Sequence, residues 1–169
     1  QILADFMTIK EKKKKLKGLK ITWIGDGNNV CNSMIYGAAL SGVKISIATP
    51  KGFEPNKTIV KDAKKLTTVE LTTDPFVAVK NADVVVSDTF SSIHNLDKKR
   101  LKKFLPKYQV NSKLMSAAKK DAIFMHCLPA KRGEEVTSDV IDGVRSVVWD
   151  EAENRLHTQK ALLVSLIHA

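Results

Sequence analysis

The sequence lacks the features that a membrane, secreted or metal-binding protein requires. Its longest apolar runs, residues 43–48 and 161–167, fall well short of the roughly 20 residues that cross a bilayer. No basic segment followed by an apolar one opens the chain as a secretory signal would. The two cysteines, Cys31 and Cys127, are far apart and lack Cys-x-x-Cys or Cys/His spacing, so neither a disulfide framework nor a zinc site is predicted. We therefore expect a soluble protein of a reducing cytoplasm.

Aromatic residues are also scarce, at 6% of 169 residues, although the formal net charge is +10. Such a charge raises the question of nucleic-acid binding. One group of lysines closes the first predicted helix and the turn after it, where cations offset the negative end of the helix dipole. The second, at residues 98–103, has only Phe104 beside it as a base-stacking aromatic, and no nucleic-acid motif accompanies it. We predict neither a nucleic-acid nor a membrane partner.

Short β-branched runs alternate with helical segments along the whole chain. The predicted strands are residues 19–24, 43–49, 69–73, 84–87, 122–126 and 146–149. The predicted helices are residues 2–16, 29–40, 56–66, 111–119 and 151–167, several with Asn or Asp near the start. This order predicts one α/β domain over residues 1–169, an open, mostly parallel, Rossmann-like sheet with helices on both faces. Ligands in such folds bind beyond the carboxyl ends of the strands.

Two strand ends carry residues suited to an amino acid. Residues 25–30, Gly-Asp-Gly-Asn-Asn-Val, form a tight turn into a helix, but the third glycine of a dinucleotide fingerprint is missing, as is an acidic residue after the second strand. We therefore exclude a nicotinamide site. Asn28 and Asn29 suit a small carboxylate, although an ordinary helix cap explains either one equally well. Asp88, followed by hydroxyl residues, suits an ammonium group, with a plain turn role as the alternative. The long polar connection 88–107 is of a length that is commonly functional or mobile.

The fifth strand runs into His126-Cys127-Leu128-Pro129. Cys127 becomes strongly nucleophilic or basic only as a thiolate, which a nearby Arg or helix N-terminus favours. Most lone cysteines are buried apolar residues, as we expect for Cys31, and His126 could equally be a hydrogen-bonded core histidine. We predict a cis peptide between Leu128 and Pro129, because the chain must turn sharply at a strand end.

Asn29, Asp88 and Cys127 are predicted to lie along one edge of the sheet around a common cleft. Arg155 is placed in the first turn of the last helix, where the helix dipole disfavours a cation. A specific acceptor would explain this position, and surface exposure with no role is the alternative.

Taken together, these segments resemble the ornithine carbamoyltransferase family over nearly the whole chain. The family's ornithine domain carries Gly-Asp-Gly-Asn-Asn, an Asp before a Ser-containing loop, His-Cys-Leu-Pro, and Glu-Asn-Arg with a following His-Thr. These occur here at residues 25–29, 88, 126–129 and 153–158. The aspartate-using relatives carry Pro in place of Cys127. Gln1 resembles the last residue of the family's His-Pro-x-Gln motif, so residues 1–17 resemble the helix that leads in from a carbamoyl-phosphate-binding domain.

The resemblance implies carbamoyl transfer from carbamoyl phosphate to the side-chain amine of L-ornithine, giving L-citrulline and phosphate in arginine metabolism. It implies no metal and no organic cofactor. The implied catalytic residues are Cys127, Asp88 and Arg155. The implied ornithine-binding residues are Asn28, Asn29, Asp88, Ser92 and Ile93. The implied carbamoyl phosphate contacts are Gln1, Cys127, the carbonyl of Leu128, and Arg155.

One loop departs from the family pattern. Ser92-Ile93-His94 stands where the family usually has Ser-Met-Gly, and Phe90 replaces a Trp. Because His94 lacks the access of glycine to positive φ, a carbamoyltransferase for putrescine or an acylated ornithine stays an alternative, as does a non-catalytic amino-acid-binding module. The resemblance also implies an amino-terminal domain as partner, and a homotrimer or higher multiple in the full enzyme. The family's phosphate-binding Ser-Thr-Arg-Thr-Arg segment does not occur in the sequence, so we expect these 169 residues alone to be inactive.

Overall fold

A computed structural model describes residues 1–90 and 97–168. The elements of these residues, in chain order, are α1 (Ile2–Lys13), β1 (Lys20–Ile24), α2 (Asn29–Ser41), β2 (Lys44–Ala48), α3 (Lys57–Ala63), β3 (Val69–Thr72), α4 (Pro75–Val79), β4 (Val84–Ser87), α5 (Lys98–Phe104), α6 (Ser112–Ser116), β5 (Ile123–His126), α7 (Ser138–Ile141) and α8 (Val148–Ile167).

The five strands form one sheet in the order β3-β2-β1-β4-β5, and every pairing is parallel. The sheet therefore starts at β1, grows to β3 on one side, and returns to β4 and β5 on the other. The point at which the strand order reverses lies between β1 and β4, where the carboxyl ends of such sheets bind ligands. The predicted α/β class and Rossmann-like sheet are confirmed.

Both faces of the sheet are buried, as a parallel sheet requires. One face of β1, β4 and β5 packs under α1 and α2, with Ile21, Trp23, Val84, Val86, Met125, Phe6, Ile9, Met34 and Ile35 in one apolar cluster. Alternate residues point to the other face and pack with α4, α5 and α6, where the cluster includes Ile24, Val85, Phe124, Ala78, Val79, Phe104, Leu114 and Met115. The last helix, α8, lies along α1 and β5, so it approaches the carboxyl end of β5 from the side.

The sixth predicted strand, residues 146–149, is wrong. Only an isolated bridge forms there, between Ser146 and Phe124, and α8 already begins at Val148. The β-branched pair in this segment has the composition of a strand, yet the N–H of Glu151 donates to the carbonyl of Val147 and starts the helix. Arg155 consequently lies about two turns inside α8. The expectation that it occupies the first turn is also wrong.

The other predicted helices are present with different ends. α1 stops at Lys13 because Lys14 adopts a left-handed conformation, with φ of 62°. The connection 88–107 contains the short helix α5, and α4 and α7 were not predicted. Within residues 1–90 and 97–168, no helix is both long and apolar enough to cross a bilayer.

Candidate functional site

Three neighbouring strands end side by side at the predicted edge. In the register of the sheet, Ile24 of β1 is paired with Ser87 of β4, which is paired in turn with His126 of β5. The residues that follow each strand therefore leave the sheet at the same level. This confirms that Asn29, Asp88 and Cys127 belong to one edge.

Asp88 is the centre of the hydrogen bonds at this edge. Its Oδ2 accepts from the Nδ2 of Asn28 at 2.7 Å, and its Oδ1 accepts from the Sγ of Cys127 at 3.2 Å. The N–H of Thr89 also donates to Oδ1, at 2.7 Å. These contacts join the ends of β1, β4 and β5 into one polar group.

Asn28 and Asn29 have different surroundings. Asn28 caps α2, since its Oδ1 accepts from the N–H of Cys31 at 3.0 Å. Its amide remains free for Asp88, so Asn28 is both a helix cap and a member of the polar group. Asn29 is the exposed first residue of α2, and among the described residues its side chain makes no hydrogen bond. The predicted positions Ser92 and Ile93, and His94 beside them, lie outside the described residues.

The turn of residues 25–28 is fixed by packing from two sides. A Cβ on Gly27 would lie 2.3 Å from the nitrogen of Pro55, so only glycine permits this approach. Arg100 of α5 pairs with the carboxylate of Asp26 and donates from Nε to the carbonyl of Phe90 at 2.7 Å. Its guanidinium lies over the ring of Phe53, 4.9 Å from the centroid. Arg100 thus connects the turn after β1 to Phe90, which follows β4.

Cys127 is held as a protonated thiol. Burial raises its pKa well above the ordinary value, and the negative charge of Asp88, which accepts the thiol hydrogen bond, raises it further. This arrangement disfavours the thiolate form of Cys127 and leaves the carboxylate of Asp88 as the group able to accept a proton. Cys31 is fully buried in the core, as expected, and burial raises the pKa of its thiol well above the ordinary value.

The turn after β5 is shaped by hydrogen bonds from both sides. The N–H of His126 donates to Oε2 of Glu151 at 2.9 Å, and the N–H of Leu128 donates to Nδ1 of the His126 ring at 2.9 Å. His126 is fully buried, which is the core role left open by the sequence. Leu128 has a φ of 52°, and the Leu128–Pro129 peptide is cis, as predicted.

Gln1 and Arg155 meet although they are far apart in sequence. Nη1 of Arg155 donates to Oε1 of Gln1 at 2.6 Å. The amide nitrogen of Gln1 donates to Oδ1 of Asp5 at 2.7 Å and to Oε1 of Glu151 at 3.0 Å. Arg155 therefore has a specific acceptor, and it is only partly exposed.

Asp5 and Glu151 were not identified from the sequence. Each is one of several acidic residues in its helix, and nothing local in the sequence distinguishes it from a solvated carboxylate. The available signal is that Asp5 stands between Ala4 and Phe6, on the face of α1 that is buried.

Among residues 1–90 and 97–168, one group of side chains has metal-ligand composition, namely Asp88, His126 and Cys127, whose ligand atoms lie within 4.8 Å of one another. The Nδ1 of His126 already accepts from Leu128, and its Nε2 lies 3.3 Å from Oε1 of Glu135. Because both ring nitrogens face protein groups, only Asp88 and Cys127 could offer ligand atoms without rebuilding the turn. Two such ligands make a poor transition-metal site.

Comparisons with known proteins agree with this geometry. Residues 17–166 match the family described as Aspartate/ornithine carbamoyltransferase, Asp/Orn binding domain. The ornithine carbamoyltransferase of Cenarchaeum symbiosum is 63% identical over 166 residues, covering 98% of this chain and 55% of that protein. That of Methanocaldococcus jannaschii is 54% identical over 169 residues, covering 96% and 55%.

Solved structures give the same result. The ornithine carbamoyltransferase of Pyrococcus furiosus superposes with a TM-score of 0.91 at 49% identity, covering 96% of this chain and 54% of that one. The enzyme of Thermus thermophilus gives 0.88 at 43% identity, covering 98% and 54%. The chain thus spans about half the length of the relatives it matches. It belongs to the aspartate/ornithine carbamoyltransferase family and corresponds to that family's Asp/Orn-binding domain.

Proposed function

We propose that this chain is the ornithine-binding half of an ornithine carbamoyltransferase, which transfers the carbamoyl group of carbamoyl phosphate to the side-chain amine of L-ornithine. The observation that carries the proposal is the hydrogen-bonded group of Asn28, Asp88 and Cys127 at the carboxyl edge of the sheet. The identity of 63% to a protein named ornithine carbamoyltransferase supports the same reaction.

The amino-acid end of ornithine would bind between β1 and β4. Asn28 and Asn29 stand at the N-terminus of α2, where amide donors and the helix dipole favour a carboxylate. Asp88 supplies the negative charge for the α-ammonium group, which would replace the Asn28 amide as its partner. Ser92 would add a hydroxyl acceptor and Ile93 an apolar contact, as the family resemblance implies.

The reacting amine would lie beside Cys127. Its nitrogen forms a bond to the carbamoyl carbon, the bond from that carbon to the phosphate oxygen breaks, and the amine gives up a proton. Asp88 is the acceptor for that proton, directly or through the substrate, because the Cys127 thiol is itself a hydrogen-bond donor to Asp88. Cys127 then orients the amine and Asp88, and citrulline and phosphate are the products.

The carbamoyl group would bind on the α8 side of the site. Leu128 belongs to the turn after β5, which hydrogen bonds to Glu151 and to the His126 ring stabilise. Its carbonyl would accept a hydrogen bond from the carbamoyl NH₂. Arg155 and Gln1 lie within hydrogen-bond distance of each other. The guanidinium would stabilise the negative charge that develops on the carbamoyl oxygen.

The complete enzyme would require more than this chain. Because the chain spans about half of its relatives, we propose that a separate amino-terminal domain, joined at α1, binds the phosphate, and that the domain described here is inactive without it. We further propose, on the family resemblance, a homotrimer or a higher multiple in the cytoplasm that serves arginine biosynthesis. The two unpaired cysteines, Cys31 and Cys127, accord with a reducing compartment.

The test is the amine specificity of the complete protein that contains this chain. Product formation from carbamoyl phosphate is measured by mass spectrometry with L-ornithine, N-acetylornithine and putrescine. Citrulline should dominate, since putrescine has no carboxylate for Asn28 and Asn29. Asp88→Asn should lower kcat and raise the KM for ornithine, each by about 10- to 100-fold, because a charged hydrogen-bond partner is lost.

Asp74→Asn is the matched control. Asp74 is the exposed cap of α4, and Asn caps a helix as well as Asp does, so activity should stay at the wild-type level. Faster carbamoylation of putrescine than of ornithine would overturn the choice of substrate.

A further inference from the structure

Two buried carboxyl groups lie behind the site without an assigned role. Asp5 of α1 and Glu151 of α8 are each 1% exposed and are hydrogen-bonded to one another. Isolated buried carboxylates are costly, so such groups occur only where hydrogen bonds or a retained proton compensate them. The packing of α1 against α8 forces these two together.

The pair is stabilised by keeping a proton. Burial is the main cause that raises the pKa of both groups, to about 6 for Asp5 and well above the ordinary value for Glu151. The neighbouring negative charge of Asp5 raises the pKa of Glu151 further. The two carboxyl groups together therefore keep a proton to a higher pH than either would keep alone in water.

Glu151 contacts both sides of the carbamoyl region. Its Oε2 accepts from the N–H of His126, at the start of the turn that presents Leu128. Its Oε1 accepts from the amide of Gln1, whose oxygen in turn accepts from Arg155. Three hydrogen bonds thus connect the turn after β5 to Arg155 through Glu151 and Gln1.

We propose that Glu151, supported by Asp5, is a positioning residue that fixes the Cys127–Leu128 turn relative to the Gln1–Arg155 pair. It does not touch substrate. It sets the distance between the Leu128 carbonyl and the Arg155 guanidinium. The carbamoyl group must contact both of these groups at once. This role rests on the proposed carbamoyl transfer, while the effect on the turn itself does not.

The kinetic test uses the complete protein that contains this chain, with Glu151→Met and Glu151→Gln. Met fills a similar volume but accepts no hydrogen bond. It should lower kcat by about 10²-fold and change the KM for ornithine little, since displaced supporting groups cost turnover. Gln is neutral and keeps an acceptor for His126, so it should restore about tenfold or more of the loss. Asp150→Asn, an exposed neighbour paired with Lys12, is the matched control and should match wild type.

A second measurement needs no substrate. Cys127 is partly accessible and Cys31 is fully buried, so the rate of alkylation of Cys127 by iodoacetamide reports on the turn, with Cys31 as an internal control for unfolding. Glu151→Met should speed alkylation of Cys127 on the order of tenfold, as expected when a buried hydrogen bond is lost. Glu151→Ala serves the same purpose if the Met variant does not fold.

The outcomes separate the two proposals. Faster alkylation in the Met or Ala variant, in a protein that forms no citrulline, would keep the positioning role and reject ornithine carbamoylation. Equal alkylation and equal kcat in wild type and Glu151→Met would overturn the positioning role even if citrulline forms. A kcat loss that Gln does not rescue would also overturn it.

Discussion

Replacing Asp5 by Asn should make the protein more resistant to rising pH. Asp5 is 1% exposed, and burial raises its pKa from 3.8 to about 6. Between these two values the folded protein retains a proton that the unfolded chain has already released. The free energy of unfolding that this proton contributes is therefore fully present below pH 3.8 and is lost as the pH rises through about 6.

The size of this effect follows from the two pKa values. Their difference, about 6 minus 3.8, is about 2.2, and one pKa unit corresponds to about 1.4 kcal/mol, so the loss is about 3 kcal/mol. Asn cannot ionise and can still donate to Glu151. It also removes a charge that raises the pKa of Glu151, which acts in the same direction. The difference in free energy of unfolding, Asp5→Asn minus wild type, should grow by about 2 to 3 kcal/mol between pH 4 and pH 7.

Urea unfolding at several pH values measures this difference. Exposed carboxyl groups whose pKa is lowered, such as Asp121 and Asp142, make both proteins more stable as pH rises, and their contribution cancels in the comparison. Asp150→Asn, which removes an exposed carboxylate from the same region, is the matched control. Parallel curves for Asp5→Asn and wild type from pH 4 to pH 7 would refute the inference that the buried pair holds a proton.

Two further substitutions test the polar group at the sheet edge. In the complete protein, Cys127→Ser should lower kcat by about tenfold or more and leave the KM for ornithine nearly unchanged, because we propose that the thiol contacts the reacting amine; unchanged turnover in steady-state kinetics would mean that Cys127 only packs. Asn28→Ala should lower the free energy of unfolding by about 1 kcal/mol through loss of the α2 cap and should weaken ornithine binding measured by calorimetry; wild-type affinity would remove Asn28 from the carboxylate site.

Local patterns in the sequence were sufficient for the sheet and its binding edge. Strands β1 to β5 are β-branched runs flanked by helical segments, and parallel pairing then places Asp88 and Cys127 at the same level. The segment 146–149 has the same composition but became the start of α8, because Val147 accepts the first helical hydrogen bond. Composition alone does not distinguish a short strand from a helix start.

The polar group behind the site depends on contacts between distant residues. Asp5 and Glu151 are separated by nearly the whole chain and become buried only when α8 packs on α1. The acceptor of Arg155 is Gln1, 154 positions away. The predicted acceptor exists, but no local sequence pattern identifies it. For Asn28, by contrast, local sequence was sufficient. Its side chain caps α2 through its oxygen and contacts Asp88 through its nitrogen, so the two predicted roles are compatible.

Citrulline formation by separated halves tests the assignment of this domain most directly. The 169-residue chain is incubated with carbamoyl phosphate and L-ornithine, alone and together with the amino-terminal half of the Pyrococcus furiosus relative, whose matching half is 49% identical to this chain. A fusion of the two halves serves as the assembled reference. Citrulline should form in the mixture or the fusion and not with the chain alone. Full turnover by the chain alone, or a folded fusion that forms no citrulline, would contradict the assignment.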